Sequence, residues 1–114
     1  MKAISLKQPW ASLVAEKRKT IETRRWATKY RGDVIIVSSR FPKIKPAGYA
    51  LAVARIADCR PMKKSDERRA CCKIYKNAKA WLLEDIRRIK PFPVKGTLGL
   101  YDMNIPKGKI IFDQ

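Results

Sequence analysis

The sequence predicts a single α+β domain over residues 1–114, and three observations predict it. A helical pattern opens at Gln8-Pro9-Trp10, where Trp10, Leu13 and Val14 recur at i, i+3 and i+4. Two later stretches, Val34-Ile35-Ile36-Val37 and Gly48 to Cys59, are rich in β-branched and small residues, as strands are. With 46% hydrophobic side chains over 114 residues, the chain can bury one core without disulfides or a metal.

Ala3 to Leu6 is short and apolar. Pro9 suits the first turn of the helix, where its missing donor is not needed, and the helix is expected to end near Lys17 or Arg18. Lys19 to Trp26 then alternates as a strand, with Thr20, Glu22, Arg24 and Trp26 on one face and Lys19, Ile21, Thr23 and Arg25 on the other. Arg31-Gly32-Asp33 reads as a turn before the buried strand Val34 to Val37, which ends in the small polar pair Ser38-Ser39. Phe41 to Pro46, two prolines among lysines, reads as a loop, and Gly48 to Cys59 as a long strand stopped by Pro61.

Lys63 to Cys72 is expected to be helical with Ser65 as its cap. Tyr75 to Ala80 is a connection. In Ala80 to Ile89, the spacing of Leu82, Leu83, Ile86 and Ile89 leans to helix, although Pro91 and Pro93 suit either state. Val94 to Met103 carries Gly96 and Gly99 within an apolar stretch, as a barrel strand does where it bends or lets a partner approach. Lys107-Gly108-Lys109 turns into a last strand, Ile110 to Phe112.

Lys and Arg number 27 against 10 Asp and Glu, a net charge of +17. Such a field attracts polyanions, so nucleic acid is the expected partner, ahead of an anionic membrane surface; a purely solubilising charge is the bland alternative. No run of eighteen apolar residues and no apolar leader is present, so a cytoplasmic location is expected, with no membrane partner. The chain has no histidine, which excludes every His-based triad, and its three cysteines, Cys59, Cys71 and Cys72, read as reduced packing thiols. Neither a cofactor nor a metal is expected.

The informative stretch runs from Ser5 to Trp26. Glu22 and Arg24, two apart on one strand face, can pair and still leave donors for a ligand. A structural ion pair with Trp10 in the core is the competing interpretation. Gln8-Pro9-Trp10-Ala11 followed by Lys19-x-x-Glu22-x-Arg24 resembles the signature of the ASCH domain family, Gly-x-Lys-x-x-Glu-x-Arg after a helix opened by a Gln-Pro-aromatic triplet. Arg31-Gly32-Asp33, the strand ending at Ser38, and Pro93-Val94-Lys95-Gly96 are similar to that family too, so the resemblance spans Ser5 to about Met103.

The resemblance implies a PUA-like small mixed β-barrel with flanking helices and a cleft between the first helix and the barrel. It also implies that Ala80 to Ile89 is mostly strand. The family's leading glycine is Lys17 here, so the turn there must relax or adopt a costlier conformation. Family members divide between nucleic-acid binders, including a similar domain of an animal transcription coactivator, and small hydrolases of N4-acylated cytidine; a bacterial member is a ribonuclease. The hydrolases are similar at Lys19 but carry a threonine nucleophile where this chain has Glu22, and a further glutamate that Glu67 would match.

Two functions are therefore expected in order. The first is a monomeric binding module for RNA rather than DNA. In it Gln8, Glu22 and Arg24 bond base edges, Trp10 or Trp26 stacks, Lys19, Arg25 and Lys95 face phosphate, and Ser38 and Ser39 join the binding set. The second is an amidohydrolase or ribonuclease in which Lys19, Glu22 and Glu67 carry the chemistry.

Overall fold

A computed structural model of the chain describes residues 1–113. Its elements run β1 (Lys2–Leu6), α1 (Trp10–Ala15), β2 (Ile21–Arg24), β3 (Gly32–Ser38) and β4 (Tyr49–Pro61). A 3-10 turn (Lys64–Asp66) then leads into α2 (Glu67–Ala70), followed by β5 (Lys79–Pro93) and β6 (Leu100–Asp102). The strands form one sheet in the order β2-β5-β4-β3-β1-β6, with β1 parallel to β3 and the other pairs antiparallel. The sheet curls into a half-barrel whose edge strands, β2 and β6, are not hydrogen-bonded to each other, where a small barrel was expected. Val94 to Met103 contributes only Leu100–Asp102 as strand, and Val94 to Gly99 is a loop instead. Among the described residues no helix is long and apolar enough to cross a membrane.

The continuous apolar run of β3 reflects burial on both faces. Val34 and Ile36 point into one cluster, with Ile4, Leu6, Val14, Trp81 and Leu83; Ile35 and Val37 point into another, with Ala3, Val53, Ile89 and Phe92. Helix α1 covers the first cluster. Its buried face is Ala11, Val14 and Ala15, not the expected Trp10, Leu13 and Val14, and Trp10 is 36% exposed. Two alanines let the helix backbone lie close to the sheet, which turns the large ring of Trp10 outward.

The segment that leaned to helix is strand. Leu83, Ile86, Ile89 and Phe92 are buried at intervals of three, a helical spacing, yet all lie on β5. Register shifts against β4 explain it. From the pair Arg55↔Glu84 to Val53↔Arg87, β4 advances two residues and β5 three, with Asp85 at φ 51°. This shift and the one from Ala52↔Arg88 to Ala50↔Phe92 insert extra residues on β5 and reset which side chain faces inward, so the two-residue period is lost. The last expected strand, Ile110 to Phe112, reduces to a single bridge between Phe112 and Ile89.

The charged helix is shorter than Lys63 to Cys72, and Asp66 takes the capping role expected of Ser65, its carboxylate accepting the Lys63 N–H at 2.8 Å. Helix α1 ends at Ala15 because Lys17, standing at the family's glycine position, adopts φ 64°. Lys17 N–H donates to Val14 C=O and Arg18 N–H to Leu13 C=O, both at 2.9 Å, which closes the helix in a Schellman motif. A lysine there carries left-handed strain of about 1 kcal/mol. Lys17→Gly is expected to raise stability by about 0.5–1 kcal/mol, read as a higher urea midpoint with unchanged slope; a loss of stability contradicts this reading.

Candidate functional site

Between α1, β2 and the ends of β1 and β3 lies a cleft of about 600 Å³. Its floor is a chain of charges. Lys19 Nζ donates to Ala70 C=O at the end of α2 and stands 3.5 Å from Glu22 Oε1. Glu22 Oε2 accepts from Arg24 Nε at 2.8 Å, and Arg24 Nη2 donates to Ser5 C=O at 2.8 Å. Lys19 is 1% exposed and Glu22 8%. An ammonium so deeply buried is tolerable only with partners of this kind.

The backbone sets these side chains. Strict alternation placed Lys19 on the face opposite Glu22, but β2 begins only at Ile21, and Arg18 to Thr20 lie outside any strand, with a bend at Arg18. That corner is clamped from three sides: Lys19 N–H donates to Leu13 C=O, Thr20 N–H to Arg69 C=O, and Leu83 N–H to Thr20 C=O. Lys19 therefore swings under β2 to reach Glu22.

Of the sequence-predicted residues, Trp10, Lys19, Glu22, Arg24, Ser38 and Ser39 line the cleft. Gln8 supports them from behind. Its Nε2 donates to Ser38 Oγ at 2.9 Å and its Oε1 accepts the Ser12 N–H of α1 at 3.2 Å, so its amide holds Ser38 in place instead of facing the cleft. Trp26 stands edge-on to buried Trp81, with ring centroids 4.8 Å apart, and lies outside the lining. Arg25 lies over the Tyr75 ring, and Lys95 is exposed beside the cleft. Glu67 is elsewhere: its Oε2 accepts the Ile74 N–H at 2.8 Å and closes the turn after α2. The structure thus brings Lys19 and Glu22 together but leaves Glu67 out of the cleft.

Sequence reasoning missed Thr23, Arg40, Phe41, Cys72, Tyr75 and Leu98, which complete the walls. Phe41 and Leu98 are 78% and 93% exposed at the mouth, which a lone aromatic among lysines in the 41–46 loop could have signalled. Gly96 is where a partner approaches closely, as its sequence context suggested. A Cβ there would stand 2.9 Å from Ser5 Oγ and 3.1 Å from Tyr101 Oη, two groups hydrogen-bonded to each other at 2.9 Å. Among the described residues no group of three or more His, Cys, Asp or Glu is arranged to hold a metal ion.

A curled mixed sheet with a charged cleft beside its first helix is consistent with the PUA-like class. The ASCH domain family model matches residues 4–93, and the chain belongs to that family. No curated protein matches the chain. Among solved structures it is similar to the ASCH protein of Zymomonas mobilis, at 20% identity and TM-score 0.65, covering 82% of this chain and 73% of that one. A tyrosine-to-phenylalanine mutant of that protein gives 20% identity and TM-score 0.64, over 82% and 75%. A serine-to-alanine mutant gives 20% and 0.63, over 81% and 72%.

The carbonyl that fixes Lys19 depends on α2, and α2 is tied to the sheet by Arg60 and Asp66, paired through two hydrogen bonds of 2.8 and 3.0 Å. The Arg60 guanidinium, against the cost of burial and with help from the Lys63 N–H, holds the Asp66 carboxyl down to about 2. Because the folded value lies below the ordinary 3.8, this stabilisation is full above about pH 4 and is lost as pH falls through about 2. Asp66→Asn is expected to cost about 1–3 kcal/mol at neutral pH and to flatten the loss between pH 4 and 2, checked by urea unfolding across that range; an unchanged acid limb contradicts the assignment.

Proposed function

We propose that the domain binds single-stranded RNA as a monomer and takes one base into the cleft. The observation that carries this reading is the composition of the cleft. A volume of about 600 Å³ suits a base with its sugar; its floor offers a carboxylate beside a guanidinium, and its walls offer Trp10, Phe41 and Tyr75 as aromatic faces. Glu22 accepts from base N–H groups, while the free Nη1 of Arg24 donates to base carbonyls or ring nitrogens. Ser38 and Ser39 add hydroxyls that act as donor or acceptor. Lys7 and Arg40 at the rim, with exposed Arg25 and Lys95 nearby, face phosphate.

Lys19 belongs to the support of this site. Its ammonium is spent as a donor to Ala70 C=O and as a partner of Glu22, which suits it to fixing the carboxylate and not to accepting a proton. Hydrolysis of a modified nucleoside or of RNA is the second reading; what favours it is that Thr23, with Cys72 Sγ 3.7 Å from its hydroxyl, lines the same cleft as Lys19 and Glu22.

Titration of short RNA and DNA strands into wild type, Trp10→Ala and Glu22→Gln tests both readings. Trp10→Ala removes one stacking face, worth about 1–3 kcal/mol, and is expected to weaken RNA binding about 5- to 100-fold with no change in melting temperature. Glu22→Gln is expected to change which base is preferred. Binding that ignores both substitutions contradicts the base-accepting cleft, and a cleaved or deacylated product by mass favours the hydrolase.

A further inference from the structure

A second groove, of about 410 Å³, lies where the end of β5 meets the turn at residues 106–109. Lys90, Lys107 and Lys109 line it together with Phe92, Pro106 and Ile111, and among the described residues no carboxylate does. None of the three lysines forms an ion pair among the described residues. Among the described residues Asp113, on the same tail, stands with Oδ2 3.9 Å from Arg88 Nη2.

The groove is built and not a chance meeting of mobile side chains. Lys90 N–H donates to Ile111 C=O at 2.8 Å and Asp113 N–H to Arg88 C=O at 2.9 Å, so the tail lies along β5. Lys109 N–H donates to Pro106 C=O at 3.1 Å and closes the turn, and Arg87 lies 4.3 Å over the Phe112 ring. The backbone thereby presents three lysines on one short surface with no ion-pair partner among the described residues, an arrangement that costs the fold self-repulsion and that a polyanion relieves.

The groove also adjoins the cleft. Phe92 lines the groove and Gly96 lines the cleft, so three residues of chain, a span of at most about 14 Å, separate the two, with exposed Lys95 between them. The Val94 N–H, bonded to Gly48 C=O at 2.9 Å, pins that dividing segment to the start of β4.

We infer that this groove is a phosphate-binding extension of the site: an RNA strand with one base in the cleft passes its flanking backbone over Lys95 onto Lys90, Lys107 and Lys109. The inference rests on the base-accepting reading of the cleft and adds to it a direction for the strand and a minimum length. A trinucleotide fills the cleft alone, and a longer strand gains the groove.

The test compares a ribo-trinucleotide with a ribo-dodecanucleotide over a salt series, using wild type and the triple variant Lys90→Ala, Lys107→Ala, Lys109→Ala. All three side chains are exposed, so circular dichroism is expected to be unchanged. Each phosphate contact on a single strand contributes about 0.7 to the slope of log affinity against log salt, so the variant is expected to lower the dodecamer slope by about 2 and its affinity by roughly tenfold or more. Trinucleotide affinity is expected to stay as in wild type. A charge-matched variant, Lys29→Ala, Lys63→Ala, Lys64→Ala, is expected to keep the wild-type slope. An unchanged dodecamer slope in the groove variant, or an equal drop in the charge-matched one, overturns the inference. So does a groove variant that loses binding to anionic phospholipid vesicles but keeps the RNA slope. The cleft is judged separately, by whether Trp10→Ala weakens the trinucleotide.

Discussion

One buried ammonium organises this molecule. Lys19 lies under β2 at 1% exposure, and each group it touches belongs to a different part of the chain: Ala70 at the end of α2 and Glu22 on β2, with Leu13 of α1 holding its backbone. A charge taken out of water costs several kcal/mol unless its partners are fixed, so the ion fits only if α1, α2 and β2 converge on one corner. Convergence there leaves the carboxylate of Glu22 with one oxygen on Lys19 and the other on Arg24, and leaves Arg24 reaching Ser5 of β1. The floor of the cleft is therefore the same set of bonds that joins the helices to the sheet.

This dependence explains which features were legible in the sequence. Glu22 and Arg24 were readable as a pair because β2 is regular across them, and Val34 to Val37 because both its faces are buried. Lys19 and Glu22 were readable together only through the family resemblance. Alternation put them on opposite faces, and two of the three bonds that clamp Arg18 to Thr20 and reverse this come from Arg69 and Leu83, more than forty positions away. The same holds for β5, where bulges set by pairing with β4 counterfeit a helical period. Glu67 and Trp26 looked functional by position, but a turn amide takes the first and Trp81 the second.

Lys17 shows how a departure from the family pattern is absorbed. The left-handed turn persists with a lysine in it, because the Schellman bonds to Leu13 and Val14 and the burial of Lys19 two residues on outweigh about 1 kcal/mol of local strain. The charge excess of the whole chain divides in a similar way. Lys19 and Arg60 are spent on structure, whereas Lys90, Lys95, Lys107 and Lys109 stand exposed without ion pairs among the described residues.

The account stands or falls on whether a base enters the cleft above Glu22. The most direct measurement is a titration of isotope-labelled protein with a short RNA strand, following the Trp10 indole and Arg24 Nε–H signals by NMR. The account predicts that both signals shift in saturable fashion with the same dissociation constant, whereas the Trp26 indole, whose ring lies outside the cleft lining, moves little. Shifts confined to exposed lysine-bearing loops, with the Trp10 and Arg24 signals unmoved at saturation, would contradict it.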